Sequence, residues 1–141
     1  MTDQFEALED CESTIDDGDE LLYRQITEHC WDAQNSKPAS HAFGPSSIDK
    51  GKASYARSSI VSAAESYAWH NEHASPSRAV MAVSAQEVMD QQTRSVDDHA
   101  CPGDHSPGHC YVDFRHMAKK EERKVRGMLL AHALARGEIQ S

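Results

Sequence analysis

The chain has 141 residues and a mass of 15.6 kDa, with 38% hydrophobic residues, 26% charged residues and a formal net charge of −9. This size excludes a large multidomain enzyme and fits one small domain, which buries about two-thirds of the surface that its unfolded chain exposes. Nine of the 23 acidic residues lie within positions 1–20, which contain no lysine or arginine. The rest of the chain has 14 acidic and 14 basic residues and is nearly neutral. The net charge therefore does not exclude an anionic ligand of the main body.

The charged N-terminal segment, residues 1–19, is predicted to be a flexible leader, because acidic segments with few aromatic residues stay solvated. The longest apolar stretch, residues 128–135, is too short to cross a membrane, and the acidic start does not resemble a secretory signal. Without an export signal, the four cysteines at positions 11, 30, 101 and 110 are expected to be reduced. These features predict a soluble, cytoplasmic protein with no membrane partner.

A single domain is predicted over residues 20–141. Apolar and aromatic residues in short runs predict strands at 21–26, 53–61, 79–84 and 109–114. Helices are predicted at 62–70, 86–92 and 117–136. The segments 35–52 and 93–108 are rich in turn-forming residues and are predicted to be loops.

The order of these elements favours an α+β fold. Ser62 and Glu65 have the spacing of a capping box at the start of the first helix. In the last helix, Val125, Met128, Leu129 and His132 form one stripe, and Gly137 ends the helix. No internal repeat and no regular βαβ alternation is present. We therefore expect a small, mostly antiparallel sheet with one short helix and a long C-terminal amphipathic helix.

A series of short motifs in residues 21–66 points to one protein family. A Leu-Tyr-Arg strand ending at Arg24 is followed by a turn at Phe43, a strand with Tyr55 and Ser58, and a helix start with Glu65. This order resembles the RES-domain family of small NAD-consuming proteins related to ADP-ribosyltransferases. The turn here reads His-Ala-Phe-Gly-Pro, which departs from the family pattern, and a later family serine is matched only by Ser84 as a placeholder.

The resemblance implies a split, mostly antiparallel sheet that holds NAD, and it assigns a role to each matched residue. Arg24 would bind phosphate or ribose, with Tyr55 and Ser58 as further cofactor-binding residues, and Glu65 would be catalytic beside the nicotinamide ribose. These roles are chemically sensible, because a guanidinium binds pyrophosphate bidentately and a carboxylate stabilises an oxocarbenium-like centre. The residues by themselves also fit a simpler interpretation, with Arg24 in a strand-edge ion pair and Glu65 in the capping box. We expect Arg24 and Glu65 to share one cleft if the protein is an enzyme that acts on NAD or a related nucleotide.

Two other functions compete with this hypothesis. A small zinc-binding protein would use Cys101, His105, His109 and Cys110, since thiolates and imidazoles are the usual zinc ligands. A non-enzymatic interaction or regulatory module would bind a protein partner, or form a homodimer along Met128 and Leu129, through an exposed apolar patch. Nucleic-acid binding is not expected, because the basic residues of the last helix fit a solvated helix face.

Overall fold

The computed structural model describes residues 5–139, which form a mixed α+β fold. Six strands make one antiparallel sheet in the order β1-β7-β8-β5-β2-β6, and β3 and β4 form a separate two-stranded ribbon. The strands are β1 (Ser13–Thr14), β2 (Leu21–Thr27), β3 (Trp31–Asp32), β4 (Lys37–Pro38), β5 (Lys52–Arg57), β6 (Ser77–Ser84), β7 (Ser95–Asp97) and β8 (His109–Asp113). The helices are α1 (Ala63–His73), α2 (Ala85–Met89) and α3 (Lys119–Arg136). The predicted fold class is confirmed.

The two faces of the sheet are covered by different helices. Side chains alternate along a strand, so Leu22 and Ile26 of β2 lie on one face, in the same core cluster as Leu129 of α3. On the opposite face, the side chain of Gln25 donates to the hydroxyl of Ser66 in α1. Tyr23 and Gln25 therefore lie on the side of α1, whereas Arg24 shares the face of Leu22 and Ile26 and bonds to the carbonyls of Ala42 and Gly44.

Helix α3 presents a different stripe from the one predicted. Its buried residues are Val125, Leu129 and Ala133, whereas Met128 is 41% exposed. Val125 lies four residues before Leu129, and Ala133 four residues after it, so the three residues stack on one side of the helix. Of the two residues along which a homodimer is predicted, Met128 is exposed and Leu129 is buried.

The N-terminal segment is attached to the rest of the fold, first through Phe5 and Glu6, which contact Arg94. Cys11 forms a disulfide with Cys101, Ser13 and Thr14 pair with β7, and the side chain of Ile15 is buried. The prediction of a flexible leader therefore does not describe residues 11–15, and the expectation of four reduced cysteines is corrected for one pair. The burial of Ile15 and the pairing with β7 are contacts with distant parts of the chain. They outweigh the tendency of this acidic segment to stay solvated.

The structure also corrects the predicted loop at 93–108, which contains β7. No helix within residues 5–139 is both long and apolar enough to traverse a membrane.

Strands β2 and β5 pair at only two positions, Leu22 with Arg57 and Tyr23 with Ala56. On its other side, β2 pairs with β6 along seven positions, from Leu21 to Thr27. The sheet therefore opens between β2 and β5 just after Tyr23. The side chain of Arg24 lies at this opening, and a cleft borders it.

Candidate functional site

A cleft of about 290 Å³ lies on the side of the sheet that α1 covers. Its walls come from β2 (residues 23–25), β5 (54–56), α1 (66, 69 and 70) and the segment that leads into β8 (104–106 and 109). Helix α1 is held in place by the capping box that the sequence predicted, in which the Ser62 hydroxyl accepts from the Glu65 amide and the Glu65 carboxylate accepts from the Ser62 amide. The cleft thus combines residues from four separate parts of the chain.

Arg24 lines the cleft, but much of its hydrogen-bonding capacity is used within the protein. Its guanidinium donates to three backbone carbonyls, those of Ala42 at 2.6 Å, Ser54 at 2.5 Å and Gly44 at 3.0 Å. These bonds use three of the five N–H groups of an arginine. Arg24 therefore fixes the 42–44 turn to the open edge of β5, and its two other N–H groups have no partner within residues 5–139.

Tyr55 also borders the cleft, and its side chain is held from the core side. Its hydroxyl donates to the carbonyl of Phe43 at 2.9 Å, and the guanidinium carbon of Arg24 lies 5.2 Å from the centre of its ring. Burial raises the pKa of Tyr55 well above its ordinary value, so the phenol stays protonated. Tyr55 is thus a rigid, neutral part of the wall.

Glu65 and Ser58, the other two residues assigned by the resemblance, do not line the cleft. Glu65 is exposed, and hydrogen bonds from the backbone and side chain of Ser62 lower its pKa. The hydroxyl of Ser58 accepts from the Leu21 amide, which joins the ends of two strands. Ser84, the placeholder for a further family serine, caps α2. The structure therefore brings Arg24 and Tyr55 to the cleft and gives the other three residues structural contacts. The expectation that Arg24 and Glu65 share one cleft is wrong, because Glu65 is held in the capping box outside it.

The predicted zinc ligands do not come together. Cys101 is in the disulfide with Cys11, and Cys110 is a buried free thiol whose pKa burial raises. This corrects the set of Cys101, His105, His109 and Cys110, because one sulfur is oxidised and the other lies within the core cluster. His105 and His109 do lie together, with Asp98 as a third group whose ligand atom is within 4.8 Å of theirs.

His109 joins Asp98 and Ser54 in a hydrogen-bonded series of side chains. Its Nδ1 lies 2.5 Å from Oδ1 of Asp98, and its Nε2 lies 3.1 Å from Oγ of Ser54. A metal ion on His109 would have to displace one of these two partners, since both ring nitrogens are occupied. Sequence reasoning missed the chain because positions 54, 98 and 109 are brought together only by the pairing of β5 with β8 and the fold of the 98–108 loop.

Two polar atoms in the cleft wall are buried and have no hydrogen-bond partner within residues 5–139: Oε1 of Gln25 and Nδ1 of His70. Burial, and then the charge of Arg24, lower the pKa of His70, so its imidazole is neutral near pH 7. A neutral imidazole has one donor and one acceptor nitrogen, so Nδ1 of His70 can accept a hydrogen bond in one of its two tautomers.

Comparison with known proteins gives no further assignment of this cleft. No protein-family model matches the sequence, and no curated protein or solved structure is significantly similar to it.

Proposed function

We propose that the cleft binds a small nucleotide of the NAD class and that the protein cleaves the bond between nicotinamide and ribose. The observation that carries this proposal is the pair of unpartnered polar atoms, Gln25 Oε1 and His70 Nδ1, on two side chains that line the cleft. Both atoms are buried, so a ligand contacts them after the two side chains turn toward it. A buried acceptor left without a donor costs about 1–3 kcal/mol, and a ligand that supplies N–H groups recovers that free energy. The carboxamide of nicotinamide carries two such N–H groups.

The remaining walls suit the same ligand. Tyr23 and Trp69 line the cleft and provide aromatic surfaces against which a flat ring can pack. The two N–H groups of Arg24 that are not bonded to backbone carbonyls can bind a phosphate or ribose oxygen. A volume of about 290 Å³ accommodates the nicotinamide and its ribose, with the rest of the dinucleotide outside the cleft.

This proposal keeps the ligand that the family resemblance implied and changes the residues that act on it. Arg24 becomes mainly a positioning residue, because three of its N–H groups hold the backbone. Glu65, which stabilises the start of α1, has no part in the reaction. Recognition of the amide moves to Gln25 and His70.

The first test is binding to the full chain, measured by isothermal titration calorimetry with nicotinamide, benzamide and acetophenone, a neutral analogue of benzamide that has no N–H group. Nicotinamide and benzamide should bind, and acetophenone should bind about tenfold more weakly, the equivalent of one hydrogen bond of about 1.4 kcal/mol. The variant Gln25→Leu should reduce this preference for the amides. Equal binding of benzamide and acetophenone would contradict the assignment of the two acceptors.

The second test is catalysis, with nicotinamide release from NAD followed by chromatography. Wild type should release nicotinamide, and Gln25→Leu should release it more slowly. Glu65→Gln is the matched control, since it lies beside the same helix start but outside the cleft, and its release rate should equal that of wild type. Absence of release by wild type would overturn the proposed reaction, and loss of release in Glu65→Gln would return the catalytic role to Glu65.

A further inference from the structure

A serine, a histidine and an aspartate form a continuous hydrogen-bonded chain at the cleft. The carboxylate of Asp98 contacts Nδ1 of His109 at 2.5 Å, and Nε2 of the same ring contacts the hydroxyl oxygen of Ser54 at 3.1 Å. Each partner uses a different ring nitrogen, which is the arrangement in which a histidine takes a proton from a serine while a carboxylate holds the ring in the required tautomer.

The exposure of the three side chains rises from the aspartate to the serine, as expected if the serine is the group that meets a ligand. The side chains of Asp98 and His109 are 13% and 18% exposed, whereas Ser54 is exposed and lines the cleft. A hydrogen bond that is largely removed from solvent meets less competition from water than one at the surface. The reactive hydroxyl is thus accessible to a ligand, while the groups behind it are shielded.

The backbone around Ser54 is held rigidly. Ser54 pairs with Tyr111 and Ala56 pairs with His109 in the β5–β8 register, so the serine and the histidine are placed by one pair of strands. Arg24 donates to the Ser54 carbonyl from the open side of β5. A nucleophile fixed on regular structure is positioned more precisely than one on a loop.

We infer that Ser54 is an activated nucleophile, with His109 as its general base and Asp98 as the positioning residue that orients the ring. The identity of the substrate rests on the proposed function. The activation of Ser54 rests on the hydrogen-bonded chain alone.

In the NAD reaction, Oγ of Ser54 forms a bond to C1′ of the ribose, and its proton passes to Nε2 of His109. The bond between C1′ and the pyridinium nitrogen breaks, and its electron pair stays on nicotinamide, which leaves as a neutral molecule. In the second step, a water oxygen bonds to C1′, the C1′–Oγ bond breaks, and His109 returns its proton to Ser54. The proton of the water goes to solvent, and the products are ADP-ribose and free enzyme.

The test uses the full chain and a small dialkyl fluorophosphate, which needs no nucleotide. Oγ of Ser54 bonds to phosphorus, fluoride leaves, and the serine proton passes to His109. Mass spectrometry of the intact protein and its peptides should show one added phosphoryl group, located on Ser54. Ser54→Ala should abolish this label, and Ser58→Ala, a serine of the same region outside the cleft, should leave its rate unchanged.

The base and the positioning residue are tested by variants with a direct chemical readout. His109→Ala should slow labelling by about 100-fold or more, and added imidazole should restore part of the rate, which a purely structural role would not allow. Asp98→Asn should also slow labelling, and the double variant should be no slower than His109→Ala because the two residues act as one unit. Circular dichroism and urea unfolding check that each variant is folded.

The outcomes separate this inference from the proposed function. Labelling of Ser54 without any nicotinamide release from NAD supports the nucleophile and rejects the substrate. Nicotinamide release by a protein that does not label at Ser54, or that labels equally in His109→Ala, overturns the inference. One equivalent of bound zinc whose removal abolishes labelling would also overturn it, since His109 would then be a metal ligand.

Discussion

Replacing Arg24 separates a structural role from a ligand-binding role. In Arg24→Met, three hydrogen bonds from a charged donor to the carbonyls of Ala42, Gly44 and Ser54 are lost. Such bonds contribute about 1.5–3 kcal/mol each, but the cleft admits water that rehydrates part of the freed carbonyls. We therefore expect the free energy of unfolding to fall by about 3–5 kcal/mol. Arg24→Lys should lose most of this as well, because an ammonium group cannot reach three carbonyls in a fork.

Urea unfolding followed by circular dichroism measures this change. With a slope of about 2 kcal/mol/M, the midpoint should fall by about 2 M. Arg78→Met is the matched control, because Arg78 is 45% exposed and pairs with the exposed Glu28, and its loss should be under about 1 kcal/mol. A loss under about 1 kcal/mol in Arg24→Met would refute the structural role and return Arg24 to ligand binding alone.

Three further changes test other parts of the fold. Burial raises the pKa of Glu20 and Asp97, but hydrogen bonds from Arg57 outweigh it, so both pKa values are lowered in the folded protein. The free energy of unfolding should therefore stay constant above about pH 5 and decrease as the pH falls through the folded-state pKa values. Urea unfolding at a series of pH values measures this decrease. Cys11→Ser, which opens a disulfide spanning 90 positions, should lower stability by about 4 kcal/mol, and an unchanged melting temperature would contradict this. Leu129→Ala should cost about 2–5 kcal/mol in urea unfolding, whereas Met128→Ala, on the exposed side of α3, should cost under about 1 kcal/mol.

Local patterns predicted the elements that local chemistry controls. The capping box of Ser62 and Glu65 begins α1 as expected, and β2 and β6 lie where short apolar runs indicated them. The C-terminal helix also forms, with Gly137 at its end in a positive-φ conformation that favours glycine. These features depend on residues within a few positions of one another, so one sequence is enough to find them.

The stripe of α3 shows where local reasoning stops. Val125, Met128, Leu129 and His132 have helical spacing, but only Val125 and Leu129 are buried, together with Ala133. A periodic pattern shows which residues share one side of a helix. The angle at which the helix packs on the sheet then decides which of those residues are buried. That angle depends on the packing of α3 against β6 and residues 40–43.

In the candidate site, too, some residues could be named from the sequence and others only from the structure. The sequence by itself determined the α+β class. The family resemblance named Arg24 and Tyr55, and the structure places both at the cleft. Only the tertiary structure gathered Ser54, Asp98 and His109, and only it left Gln25 and His70 with unpartnered acceptors, because these relationships arise from strand pairing and helix packing between distant segments. The acidic N-terminal segment follows the same rule: its composition favours solvation, and the non-local contacts of residues 11–15 hold it against the sheet.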